Sequence, residues 1–270
     1  MKKEFLTVLF VVASLFVAGQ SEQQATLLRK ALHEQSTELL FEFFNNWADE
    51  VKSNEKEADN PYVAEAYKVF DAVYQPLHPE KLGFPSFHEN YQDVPYFIVQ
   101  GTLWEISQTK KIPKNGFPYE IALPVTTLDS MVEFLPPVSF ENKKIVYLTA
   151  GYRKLLDSYL SEKNADFDFF SEEQLDSIDF DEWFNTVWER EVLYTDMMVS
   201  FLKKAARIDR PHFDLPWQYV TYPMVERIVF DKKMRRAIVK FGFGNMGGEA
   251  LLKNQKGKWI IVKGQFTWIS

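Results

Sequence analysis

From Tyr222 to the C-terminus the chain reads as four β-rich runs, "YPMVERIVFD", "RRAIVKFGFG", "GGEALLKN" and "KWIIVKGQFTWI". They are joined by turn material at Asp231-Lys232-Lys233, Asn245-Met246-Gly247 and Gln255-Lys256-Gly257. Regular short strands with such tight joints predict an antiparallel meander. No other feature constrains the fold as much, because one face of such a sheet must be covered by another layer. Gly264 interrupts the last run and reads as the mark of a bulge.

The covering helices lie upstream. Leu28, Leu32, Leu39, Phe43, Trp47 and Val51 recur at helical spacing and predict a helix over Ser21 to about Ser53. "NPYVAEAYKVFDAVYQP" predicts a second helix, with Asn60 as N-cap and Pro61 at the first helical position. Its apolar stripe is Val63, Tyr67, Phe70 and Val73 or Tyr74, and it pairs antiparallel with the first helix. Prolines then punctuate residues 76–145, where Tyr96–Ile106 and Tyr119–Val125 read as short strands. Lys144–Leu148 is another strand or the start of a helix. Thr149 is placed to cap a helix carrying Tyr152, Leu155, Leu156, Tyr159 and Leu160. A last helix is read from about Trp183 to Ile208, with Trp188, Val192, Met198, Phe201, Leu202 and Ala205 on its apolar side. The fold class is α+β: a helix-rich N-terminal part with short strands, and a C-terminal antiparallel four-stranded meander packed on helices. Its divisions are a signal peptide at 1–19, a helix-rich part at 20–165, an acidic linker at 166–182, and a helix plus cone-like sheet at 183–270. The last two are compatible with one continuous domain together with 20–165.

Lys2 and Lys3 precede an apolar run from Phe5 to Ala18, and Val17 and Gly19 suit a signal peptidase that cuts before Gln20. The run is shorter than the roughly 20 residues that span a bilayer. The expectation is an exported protein, periplasmic or extracellular, with no membrane span once the signal is removed. There is no cysteine, so neither a lipid-modified N-terminus nor a disulfide is open to it. The core alone must hold the chain, and 24 Phe, 12 Tyr and 7 Trp supply large side chains to fill it.

A formal charge of −7 argues against general affinity for phosphate backbones, so no nucleic-acid partner is expected. The one basic cluster, "KKMRRAIVK", reads as a solvated hairpin tip. "GFGNMGG" has the G-x-G-x-x-G spacing of a dinucleotide loop, but that motif works only where the glycines end a strand and open a helix. Here a turn at Lys256-Gly257 follows too soon for a crossover helix, so the glycines are read as a turn and no cofactor is expected. His78 and His88 have no third ligand at metal-site spacing, and the D-x-D pairs at Asp166/Asp168 and Asp179/Asp181 lack a calcium loop's glycine and closing glutamate. No metal and no catalytic residue are assigned. Trp183, Trp188 and Trp217 lie in irregular or acidic surroundings and are the candidate ligand-contact aromatics.

A helix followed by four antiparallel strands, closing on "GGEALLKNQKGKWIIVKGQFTWI", resembles the cystatin-like, nuclear-transport-factor-two-like superfamily over a quarter to a third of the chain. The whole also resembles uncharacterised secreted proteins of Gram-negative, gut-type bacteria. The first resemblance implies a sheet wrapped around a helical layer, and it admits both small-molecule isomerases or dehydratases and non-catalytic domains. The leading expectation is a non-catalytic exported protein that binds a protein, small-molecule or glycan partner. The alternative is an isomerase- or dehydratase-like enzyme with its pocket between the C-terminal sheet and its helices. A third reading, a carbohydrate-associated accessory protein, requires a flat exposed row of aromatics.

Overall fold

The computed structural model describes residues 22–53, 60–83, 91, 93–113, 125–161, 197–208, 217–244 and 246–269. The chain forms two compact units, one of Met1–Asn46 with Gly151–Ala205, the other of Trp47–Ala150 with Ala206–Ser270.

In the first unit the single helix expected over Ser21–Ser53 is two: α1 (residues 22–33) and α2 (Thr37–Glu50). The break is written in hydrogen bonds. Gln35 adopts φ 51°, and the amides of Gln35 and Ser36 turn back to Leu32 O at 3.0 Å and Ala31 O at 2.9 Å. That is a Schellman ending. Ser36 then caps α2, its Oγ accepting from Leu39 N–H at 3.2 Å. Restarting the helix resets the apolar stripe, so Leu40 and Phe44 are fully buried beside Phe43 while Leu39 is only partly so. α4 (Ala150–Ser161) buries the expected Tyr152, Leu155, Leu156, Tyr159 and Leu160. α5 (residues 197–202) stops short of the Ile208 expected, because Lys204 and Ala205 switch to i→i−3 bonds. Trp183 and the helix start read there lie outside the described residues.

The second unit carries the sheets. Its strands are β1 (Tyr96–Gln100), β2 (Thr102–Thr109), β3 (Val125–Glu133), β4 (Lys144–Leu148), β5 (Met224–Asp231), β6 (Arg236–Phe243), β7 (Met246–Gln255) and β8 (Lys258–Ile269). The run expected as one strand at Tyr96–Ile106 splits at Gly101. A Cβ there would lie 2.4 Å from Leu148 O, and the glycine's own amide bonds that oxygen at 3.2 Å. β1 pairs in parallel with β4, while β2 crosses into the other sheet.

The C-terminal strands are antiparallel as expected, but they do not form a four-stranded sheet on their own. The order is β3-β2-β5-β6-β7-β8, six strands wide, with β2 and β5 parallel. β5 buries Ile228, Val229 and Phe230 toward both faces, and such a strand belongs in a sheet's interior with both edges paired. Gln100 helps to secure the join. Its Nε2 donates to Val225 O at 2.7 Å and its Oε1 accepts from Val225 N–H at 2.6 Å, so a side-chain amide acts as one more backbone unit.

The core lies between this sheet and α3 (Pro61–Val73). Asn60 caps α3, accepting from Tyr62 N–H at 2.9 Å, with Pro61 following as expected. The stripe of Val63, Tyr67, Phe70, Val73 and Tyr74 is buried; Phe70 stacks on Tyr74 at 4.9 Å and meets Phe134 edge-on at 5.2 Å. A small second cluster, Ile112, Val229, Ile238 and Leu251, sits on the opposite face of the sheet.

Candidate functional site

Two contacts hold α3 and its continuation against β8. Trp259 Nε1–H donates to Glu65 Oε2 at 2.8 Å, and Lys68 Nζ reaches the other oxygen of Glu65 at 2.7 Å. Further along, the 3-10 helix Pro79–Leu82 lies directly on Gly264. A Cβ on Gly264 would fall 2.4 Å from Leu82 C, and one on Gly83 (φ 85°) would fall 2.8 Å from Gly264 O. The expected bulge is therefore not what Gly264 serves: the register shifts in β7–β8 fall at Gly247/Gly248 and Leu251/Leu252, and the glycine admits another backbone. Between Trp259 and Gly264 the structure opens into a groove of about 1160 Å³.

The floor of the groove is the outer edge of β8, the last strand in the sheet. Lys256 and Gly257 have φ of 55° and 89°, the signature of a two-residue hairpin turn that pairs Gln255 with Lys258. Asn254 directs its amide to Arg235 O at 2.9 Å, toward β6 and away from β8. Its partner Trp259 is then in a non-hydrogen-bonded pair, so the backbone N–H and C=O of Trp259 point outward, as do those of Ile261 two residues on. Ile260 and Val262 are 40% and 54% exposed, unusual for large apolar residues.

The groove is cationic although the chain is acidic. Lys68, Lys81, Lys258 and Lys263 line it, against Asp71 and Glu80. Lys68 is engaged by Glu65, whereas Lys81 and Lys258 make no ion pair among the described residues. Burial pushes the Asp71 carboxyl up, with the charge of Lys258 opposing. Glu80 is held by His78 Nδ1 at 3.2 Å.

A second polar feature crosses the other face of the sheet. Ser130, Glu105, Arg227, Lys240, Glu249 and Gln265 are successive cross-strand neighbours over all six strands. The cations of this row are paired: Arg227 Nη2 lies 2.5 Å from Glu105 Oε2 within it, and Lys240 Nζ lies 3.7 Å from Glu226 outside it. Glu105 also accepts from the Ser107 hydroxyl and from Thr127. Only Glu249 Oε2 and Gln265 Nε2 are buried there without hydrogen bonds.

Of the aromatics singled out in the sequence, Trp217 is partly buried ahead of β5, and Trp183 and Trp188 lie outside the described residues, as do Asp166, Asp168, Asp179, Asp181 and His88. Trp47 and Trp259 are core residues, while Trp104 is 55% exposed beside no other exposed tryptophan among the described residues. "GFGNMGG" ends β6 and begins β7, with Gly244 at φ 65°; Gly248 lies in a strand and not at the head of a helix. "KKMRR" is a hairpin tip between β5 and β6, with Arg235 N–H bonded to Asp231 Oδ1 at 2.7 Å. Among the described residues no three His, Asp or Glu side chains converge on a metal position, and no helix is long and apolar enough to cross a membrane. Sequence reading missed Lys81, Lys258, Ile260 and Val262. The available signal was "KWIIVKG", four consecutive apolar residues between lysines where a half-buried strand should alternate.

No family model, curated protein or solved structure matches the chain.

Proposed function

We propose that this chain is an exported, non-catalytic binding protein whose partner lies in the groove between α3 and β8. The observation that carries this reading is the groove itself: about 1160 Å³, fixed at both ends by Trp259–Glu65 and Gly264–Leu82, with exposed Ile260 and Val262 on its rim. Export is supported by Lys2, Lys3 and the apolar run Phe5–Ala18. The proposed kinship with the cystatin-like, nuclear-transport-factor-two-like superfamily rests on the closing run "GGEALLKNQKGKWIIVKGQFTWI". The test is a titration of isotope-labelled protein with a panel of peptides, oligosaccharides and small anions. Amide shifts should gather at Lys258–Gly264 and along α3; ligands that shift only other regions, or none that shift any, would refute the assignment.

One observation favours an enzymatic reading in the same groove. Asp71, its carboxyl raised by burial, follows Tyr67 by one helical turn, and both line the opening. A carboxylate and a phenol so placed could move a proton on a small carbonyl compound. Turnover of such compounds that disappears in Asp71→Asn, with folding intact, would establish this reading over the first.

A further inference from the structure

Resting on the groove reading above, we infer that the occupant is an extended acidic peptide that adds as a strand to the edge of β8, which no other strand pairs among the described residues. Three observations converge on a peptide of that charge. First, Trp259 and Ile261 present backbone N–H and C=O groups outward along the groove floor. An added strand satisfies them with its own backbone, which a sugar or a nucleic acid does not do in register. Second, lysines stand on both sides of that edge, Lys81 on the helical wall and Lys258 and Lys263 on the strand, while Lys68 on the wall is engaged by Glu65. In a chain of formal charge −7 this local excess of cations selects an anionic partner and speeds its encounter. Third, Ile260 and Val262 leave apolar surface beside the edge for alternate side chains of the incoming strand.

The same lysines disfavour the simplest competitor, a second copy of this chain. Two β8 edges paired antiparallel about Ile260, with Trp259 of each copy opposite Ile261 of the other, would set Lys258 of each copy opposite Val262 and next to Lys263 of the other. Like charges brought so close destabilise a strand pair, and edge lysines are a common guard against such pairing. An acidic strand turns that repulsion into attraction.

The experiment uses the full chain and three probes: a peptide alternating Asp and Phe, the same peptide with Lys for Asp, and polygalacturonate. Affinity is read by fluorescence anisotropy and calorimetry. The acidic peptide should bind and the lysine peptide should not. The double variant Lys81→Glu/Lys258→Glu should weaken the acidic peptide at least about tenfold, and so should a rise in salt from about 0.05 to about 0.5 M. Ile261→Pro removes an outward N–H while leaving the bonds to β7 in place, and should also cost at least about tenfold. Circular dichroism checks that each variant folds. Retained affinity in a folded Ile261→Pro overturns strand addition, and retained affinity in the charge variant overturns the electrostatic match. Binding of polygalacturonate in the groove without the peptide overturns this inference and leaves the groove reading standing. Failure of every probe, in this assay and in the wider panel above, removes both.

Discussion

Gly264→Ala probes how the groove is built, and its cost can be worked from distances. The added methyl would sit 2.4, 2.5 and 2.6 Å from Leu82 C, O and Cα, well inside van der Waals contact. All three atoms are backbone, so no side-chain rotation relieves the clash. Either the 3-10 helix lifts off β8 or the strand bends away. Overpacking against a yielding side chain costs ~1–3 kcal/mol, and an unyielding backbone belongs at the upper end, about 2–3 kcal/mol. For a protein of this size that lowers the melting temperature by roughly 5–10 °C. Gly242→Ala is the internal control. Its nearest neighbour is Glu226 Oε1 at 3.4 Å, the end of a side chain that can move, and its φ is unexceptional. There the loss of unfolded-chain freedom should leave stability level or raise it by up to about 1 kcal/mol. Urea unfolding followed by tryptophan fluorescence, with equal slopes for the three proteins, reads both changes. A Gly264→Ala protein within about 0.5 kcal/mol of the parent, or a Gly242→Ala protein equally damaged, would refute the close approach of the two backbones.

The two outlying carboxylates of the polar row should respond to pH in opposite ways. Burial tends to raise Glu105, but the Ser107 hydrogen bond, the charge of Arg227 and Thr127 outweigh it and hold the carboxyl below its usual 4.5. A depressed folded-state value stabilises above the unfolded value and is lost as pH falls through the folded one, so Glu105→Gln should flatten the loss of stability below about pH 4.5. Burial raises the carboxyl of Glu249, with Lys240 opposing, so its charged form disfavours folding at neutral pH. Glu249→Gln should therefore raise the urea midpoint at pH 8 and have little effect at pH 4; a lower midpoint at pH 8 contradicts this account. Asn60→Ala loses the cap on Tyr62 N–H and should cost ~1 kcal/mol in the same assay, while Asn60→Ser keeps most of it.

What could be read in advance was whatever a residue's neighbours in sequence decide. Asn60-Pro61 and the stripe from Val63 to Tyr74 are local, and α3 appears where they place it. Lys256-Gly257 and Gly244 are turns because positive φ is a property of one or two residues. The failures share a different cause. Nothing near Gly101 reports that Leu148 O will lie against it, so a strand that changes sheets looked continuous. Likewise Gln35, not a glycine, takes the left-handed position that ends α1, and the helical period runs across it without a visible fault. The parallel contact of β2 with β5 joins segments more than a hundred residues apart, and no local pattern encodes it.

The groove was illegible for a related reason. Whether a strand lies at a sheet's edge or in its interior is set by topology, and the same apolar run suits either place. In β5 the consecutive Ile228, Val229 and Phe230 are all buried, because partners lie on both edges and side chains cover both faces. In β8 the comparable run from Trp259 to Val262 joins the core through Trp259 and Ile261, and leaves Ile260 and Val262 exposed. What separates the two runs in sequence is their flanks: the run in β8 is bracketed by Lys258 and Lys263, while the run in β5 follows Glu226 and Arg227, which are absorbed by Lys240 and Glu105. Charge that finds its counterion inside the sheet belongs to the fold. Among the described residues Lys81 and Lys258 make no ion pair and stand beside outward-facing backbone, and it is there that the proposed partner has something to neutralise.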